Sequence, residues 1–123
     1  MTTAAALRSA CLALPGAQET FPFGPQTMVF KVGGKMFALV PQDATPPTMS
    51  VKCDPDLAAQ LRETHEQVRP GYHLDKRHWN TVVCDGTLPD RFLRELLEDS
   101  YDLVVAKLPK RVQRELDWPG LAG

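Results

Sequence analysis

At 123 residues, with 43% hydrophobic and 24% charged side chains, the chain has the length and balance of one globular domain that buries its core without disulfide or metal support. Those values exclude a disordered chain and a coiled coil. A formal net charge of -1 at pH 7 excludes bulk attraction to nucleic acid, so any such binding must come from a local patch.

Leu7, Ala10, Cys11 and Leu14 recur on one face of a first helix, capped by Thr2 or Thr3 and ended by Pro15-Gly16. Ala17 to Pro25 holds two prolines and a glycine, which predicts an extended, packed loop. Thr27–Val32 and Lys35–Val40 are β-rich runs around Gly33-Gly34, the composition that a primed hairpin turn prefers. After a polar, proline-bearing loop, Thr48–Cys53 alternates polar and apolar as a strand with one wet face.

Asp54-Pro55 opens a second helix as N-cap and first residue, with Leu57, Ala58 and Leu61 facing one way. A short strand is expected within Gln67–Tyr72, broken by Pro70-Gly71, and a clearer one over Trp79–Cys84. Thr87 and Asp90 have capping-box spacing ahead of the longest periodic segment. There Leu93, Leu97, Tyr101, Val104 and Leu108 form one stripe, with acids and arginines on the other side. Pro109 ends or kinks that helix, Lys110 to Glu115 adds at most a turn, and residues 117–123 read as a loose tail. The expected order is α-β-β-β-α-β-β-α, an α+β two-layer domain over residues 1–116 with one antiparallel sheet and its helices on a single face.

Period-two alternation turns Met28, Phe30, Val32, Met49, Val51 and Cys53 inward. Thr27, Lys31, Thr48, Ser50 and Lys52 are left on the open face, joined by Lys35 and Thr81 if the register allows. Lysines and hydroxyls on such a face suit phosphate oxygens; a plain solvated sheet is the competing account. Arg69, Lys76 and Arg77 extend the patch, and Tyr72, His73 and Trp79 offer flat surfaces for stacking, although the core is the favoured place for Trp79.

His73, His78, Asp75 and Cys84 carry zinc-binding atoms in no recognised ligand spacing, so no metal is expected. Ser9, Ser50 and Ser100 sit on no nucleophile elbow, Glu19 has no carboxylate partner, and no glycine-rich phosphate loop or dinucleotide fingerprint is present. Neither an enzyme nor a cofactor is expected. Cys11, Cys53 and Cys84 form no CxxC pair and read as reduced, buried thiols. With no signal-like start and no membrane-length apolar run, the cytoplasm is the expected location and no membrane partner is expected.

Leu14-Pro15-Gly16, Glu19, Pro22-Phe23-Gly24, Phe30 to Ala38, Val51-Lys52, Pro70 to Leu74, Lys76, His78-Trp79-Asn80 and Ser100-Tyr101 resemble, in this order, the MmcQ/YjbR family of small bacterial proteins. The landmarks run from Leu14 to about Leu108, nearly the whole domain. The resemblance implies a two-layer fold like that of type III secretion chaperones and of a double-wing DNA-binding domain, and a DNA-binding label that rests on this likeness. It supplies no catalytic residue. The expectation is a non-enzymatic, monomeric module that binds DNA through Lys31, Lys35, Lys52, Arg69, Lys76 and Arg77, positions chosen from faces and charge. The alternative is a chaperone-like module that holds a protein partner.

Overall fold

A computed structural model describes residues 1–118. The elements are α1 (Ala4–Leu12), β1 (Gln18–Thr20), β2 (Thr27–Val32), β3 (Lys35–Pro41), β4 (Thr48–Lys52), α2 (Pro55–Thr64), β5 (Val68–Pro70), β6 (Trp79–Val83), α3 (Asp90–Val105) and α4 (Lys110–Leu116). The strands form one antiparallel sheet in the order β1-β2-β3-β4-β6-β5. The α+β class and the open antiparallel sheet stand as expected. The order gains an edge strand near the start and a helix at the end.

Gly33 and Gly34 close the β2–β3 hairpin with φ of 57° and 80°, the pair of positive values that a tight primed turn demands. A side chain at Gly33 would also strike Leu108, so the hairpin tip packs directly beyond the end of α3. Thr3 caps α1, its Oγ1 accepting from the Ala6 N–H at 3.1 Å, and Asp54 caps α2.

Ala17 to Pro25 is not wholly loop: Gln18–Thr20 pairs with Lys31, Phe30 and Val29. Three residues without apolar alternation carry no strand signal, and it is pairing with β2 that extends them. At the other end α4 makes two turns, and Leu116 comes within reach of Gly16. The tail is not loose as far as Trp118, whose indole N–H donates to Asp102 and whose ring stands edge-on to Tyr101 at 5.2 Å. The rest of the expected tail lies outside the described residues.

Three further expectations fail locally. The capping box does not form: Pro89 holds the N-cap of α3 without a side-chain bond, and Thr87 turns back to Asp85. On α2, Ala58 is buried and Leu61 packs on the core, but Leu57 is 38% exposed. Trp79 is buried, yet it does not belong to the main core.

That core lies between the sheet and α1 and α3, built on Leu7, Phe30, Phe37, Met49, Val82, Leu93, Leu97 and Tyr101. In the β2–β3 pairing Phe30 faces Ala38 and Lys31 faces Met36, which leaves Phe37 unopposed in a bulge. The extra residue lets both Phe37 and Ala38 sit on the helix side, where both are fully buried. Ser100 secures the arrangement: its hydroxyl donates to the Phe37 carbonyl at 2.6 Å and accepts from the Lys52 N–H at 2.8 Å.

All three cysteines are free and buried. Burial pushes the thiol of Cys11 up to about 12 and that of Cys84 up to about 11, and raises Cys53 as well. The thiolate is the reactive form. Native protein is therefore expected to react only slowly with a disulfide reagent at neutral pH, and denatured protein to titrate all 3 thiols at once. A fast native thiol would contradict this burial.

Candidate functional site

The face of the sheet turned away from the helices is not a uniform solvated surface. Register places Thr20, Val29, Leu39, Ser50, Thr81 and Arg69 in one row across all six strands. Ser50 and Thr81 share a hydrogen bond of 2.8 Å in the middle of that row. Beside it, Val29, Leu39 and Trp79 form a second apolar cluster, with Met36 and Leu74 packed against it. Trp79 is 8% exposed, so it is buried as expected but on the face opposite the helices.

What covers it is the segment Gly71–His78, which folds back over this face. The Gly71 N–H donates to the Trp79 carbonyl at 2.9 Å, and the Tyr72 N–H donates to Thr81 Oγ1 at 3.0 Å. Lys76 Nζ donates to the Gly71 carbonyl at 3.1 Å. From below, Arg62 of α2 donates to the Lys76 carbonyl and to Asn80 Oδ1, each at 2.9 Å. Asp75 accepts from the Arg77 N–H and pairs with His78 Nδ1 at 2.8 Å, and these donors hold its carboxyl below the usual range. His73 adopts a φ of 58°, an uncommon conformation for a residue with a side chain.

Between this segment and the loops at the other end of the strands lies a groove of about 630 Å³. Its floor is Leu39 with the hydroxyls of Thr27, Thr48, Ser50 and Thr81; Tyr72, His73 and Leu74 form one bank, and Phe23 and Ala44 help form the other. Tyr72 is 72% exposed and Phe23 63%. Among the described residues Arg69 is the only lysine or arginine that lines the groove, and none of the lining residues is a carboxylate.

The six expected cations do not form one patch. Arg69 lines the groove. Lys31 and Lys52 share its face, paired with Gln18 and Trp79. Lys35 pairs with Val32 of the main core, at the hairpin tip on the helix side. Lys76 is engaged by the Gly71 carbonyl, and Arg77 is exposed on the covering segment. Phe23 was not foreseen as a site residue; the signal was a phenylalanine pair around Pro22 in a loop with few ways to bury it.

Glu19 and His73 lie on opposite faces of the sheet. Glu19 pairs with Phe30 on the helix side and is bound by Arg8, across the sheet from the groove that His73 lines. Among the described residues no group of three His, Cys, Asp or Glu side chains could hold a metal ion, and no helix is long and apolar enough to cross a membrane.

A family model described as YjbR matches residues 12–103, a span that contains the whole groove. The uncharacterized protein YjbR of Escherichia coli K12 is 39% identical over 106 residues, 86% of this chain and 90% of that protein. The uncharacterized protein YbdF of Escherichia coli O157:H7 is 37% identical over 105 residues, 85% of this chain and 86% of its own length. The crystal structure of Deinococcus radiodurans protein DR2400, with domain DUF419, has a TM-score of 0.89 and 46% identity, covering 97% of this chain and 91% of that one.

Proposed function

The chain belongs to the YjbR family, and from that footing we propose a non-catalytic nucleic-acid-binding module whose contact surface is the open face of its sheet. The observation that carries this reading is the sorting of strand charges between the two faces of the sheet. Lys31, Lys52 and Arg69 stand on the open face, and the one carboxylate within the strands, Glu19, faces the other way and is bound by Arg8. Across the sheet, α3 carries Asp90, Glu95, Glu98, Asp99 and Asp102 against Arg91 and Arg94, while α4 is basic, with Lys110, Arg111 and Arg114 against Glu115. A chain of net charge -1 thus keeps the strand residues of its open face free of carboxylates and offers three cations there to phosphates.

Fluorescence anisotropy with labelled DNA at low and physiological salt tests it. Three phosphate contacts imply a slope of log affinity against log salt of about -2 for a single strand and about -3 for a duplex. Lys31→Ala combined with Lys52→Ala should weaken binding and lower that slope by one to two contacts, with the thermal midpoint nearly unchanged. No binding at low salt, or an unaltered slope in the double variant, would remove this face from consideration. The exposed Phe23 and Tyr72 support a second reading, a protein partner held in the groove; that association would depend only weakly on salt.

A further inference from the structure

We infer that the groove is a stacking site for an unpaired nucleotide, so that the protein prefers a single strand to a duplex; the inference rests on the nucleic-acid reading above. Tyr72 and Phe23 come from different loops, line the same groove, and are 72% and 63% exposed. Large aromatics left in water on both sides of a cleft offer stacking surface to a flat ring, which gains about 1–3 kcal/mol per base. Tyr72 is also held in place. Its backbone N–H donates to Thr81, and the His73 ring lies against it at a centroid distance of 4.0 Å.

Charge selects the class of ring. Arg69 supplies a cation at the groove and no carboxylate among the described residues lines it, which fits a flat group carrying a phosphate and disfavours an acid-free apolar peptide. On the floor, Ser50 and Thr81 bond each other and Thr81 also accepts from the Tyr72 N–H, which leaves one hydroxyl site on Thr81 and those of Ser50 to meet the polar edge of a base without demanding one identity. Shape selects the strand form. A concave space of about 630 Å³ is within the size range of ligand pockets, whereas the bases of an intact duplex are stacked and out of reach of a recessed floor. An unpaired base needs no extrusion.

The test is anisotropy with labelled oligothymidine of about a dozen nucleotides, the matching duplex, and thymidine monophosphate as competitor. Wild-type protein is expected to bind the single strand at least several-fold tighter than the duplex. Tyr72→Ala should weaken single-strand binding about tenfold and leave duplex binding unchanged. Tyr72→Phe should restore it, and because Tyr72 is so exposed the thermal midpoint should not move. Equal affinity for both forms, or indifference to Tyr72→Ala, would overturn the stacking site while leaving the charged face standing. Competition by the mononucleotide as effective as that of the strand would overturn it in favour of a small-ligand pocket. No binding of either form would overturn both readings.

Discussion

Phe37→Ala is expected to lower the unfolding free energy by about 3–5 kcal/mol, a loss of the largest class for a single truncation. Phe37 is fully buried at the β2–β3 bulge, and its ring meets Tyr101 edge-on at 5.4 Å and 88°. Removing it opens a cavity where sheet and α3 meet, and the surroundings are poorly placed to close it. Ser100 holds the Phe37 carbonyl and the Lys52 N–H together, while the Tyr101 hydroxyl is bonded to the Pro15 carbonyl. Collapse into the space would break one of these bonds and leave a buried polar group unpaired. Against a typical total of about 5–15 kcal/mol, the variant should show a urea midpoint far below wild type at an unchanged slope. Leu57→Ala, at a half-exposed site on α2, should stay within about 0.5 kcal/mol. Similar losses in the two variants would mean that the bulge does not anchor the core.

The bulge also marks what was legible in the sequence. Alternation in Thr27–Val32 and Thr48–Cys53 fixed the inward faces correctly, and Gly33-Gly34 fixed the turn, because both signals are local. Nothing local announces that Phe37 and Ala38 face the same way; the bulge is a property of the pairing. The same holds for β1, whose three polar residues are a strand only because β2 offers an edge. Thr87 and Asp90 had the spacing of a cap, but Asp85 lies closer in the turn and takes the hydroxyl.

The candidate site was half legible for a related reason. Lys31 and Lys52 follow from period two, Arg69 was only an extension from the turn before the last strand, and the register gathers the three on one face. Lys35 lies elsewhere because the two-residue turn pairs it directly with inward-facing Val32, which sets it on the helix side. The groove itself could not be read at all. It exists because Gly71–His78 folds over the open face and buries Trp79 there, and a tryptophan's burial says nothing of which side of a sheet it is buried on.

Gly71→Ala is the change that should separate this covering segment from the rest of the fold. A Cβ at Gly71 would lie 2.8 Å from the Cβ of Trp79, 3.0 Å from its carbonyl oxygen and 3.2 Å from the Cβ of Leu74. These are backbone atoms of β6 and the roots of packed side chains, so none can rotate aside, and the segment must lift instead. Lifting breaks the Gly71–Trp79 backbone bond and the Tyr72–Thr81 bond, and it uncovers the small cluster under Leu74. Overpacking of about 1–3 kcal/mol and two hydrogen bonds of about 1 kcal/mol each together predict a loss of about 3–5 kcal/mol. The main core lies across the sheet and is untouched, so the variant should still fold. In a Trp118→Phe background, Trp79 emission should shift to the red and become accessible to acrylamide, and single-strand affinity should fall at least as far as in Tyr72→Ala, since the aromatic bank moves with the segment. Unchanged Trp79 emission would show that the segment is not pinned at Gly71. A shifted emission with full affinity would show that the bank is not where the strand binds. The histidines, bases and aromatics crowded between Pro70 and Val83 thereby divide by role: Lys76, Asp75 and His78 fasten the segment, Trp79 is what it covers, and Tyr72 is what it presents.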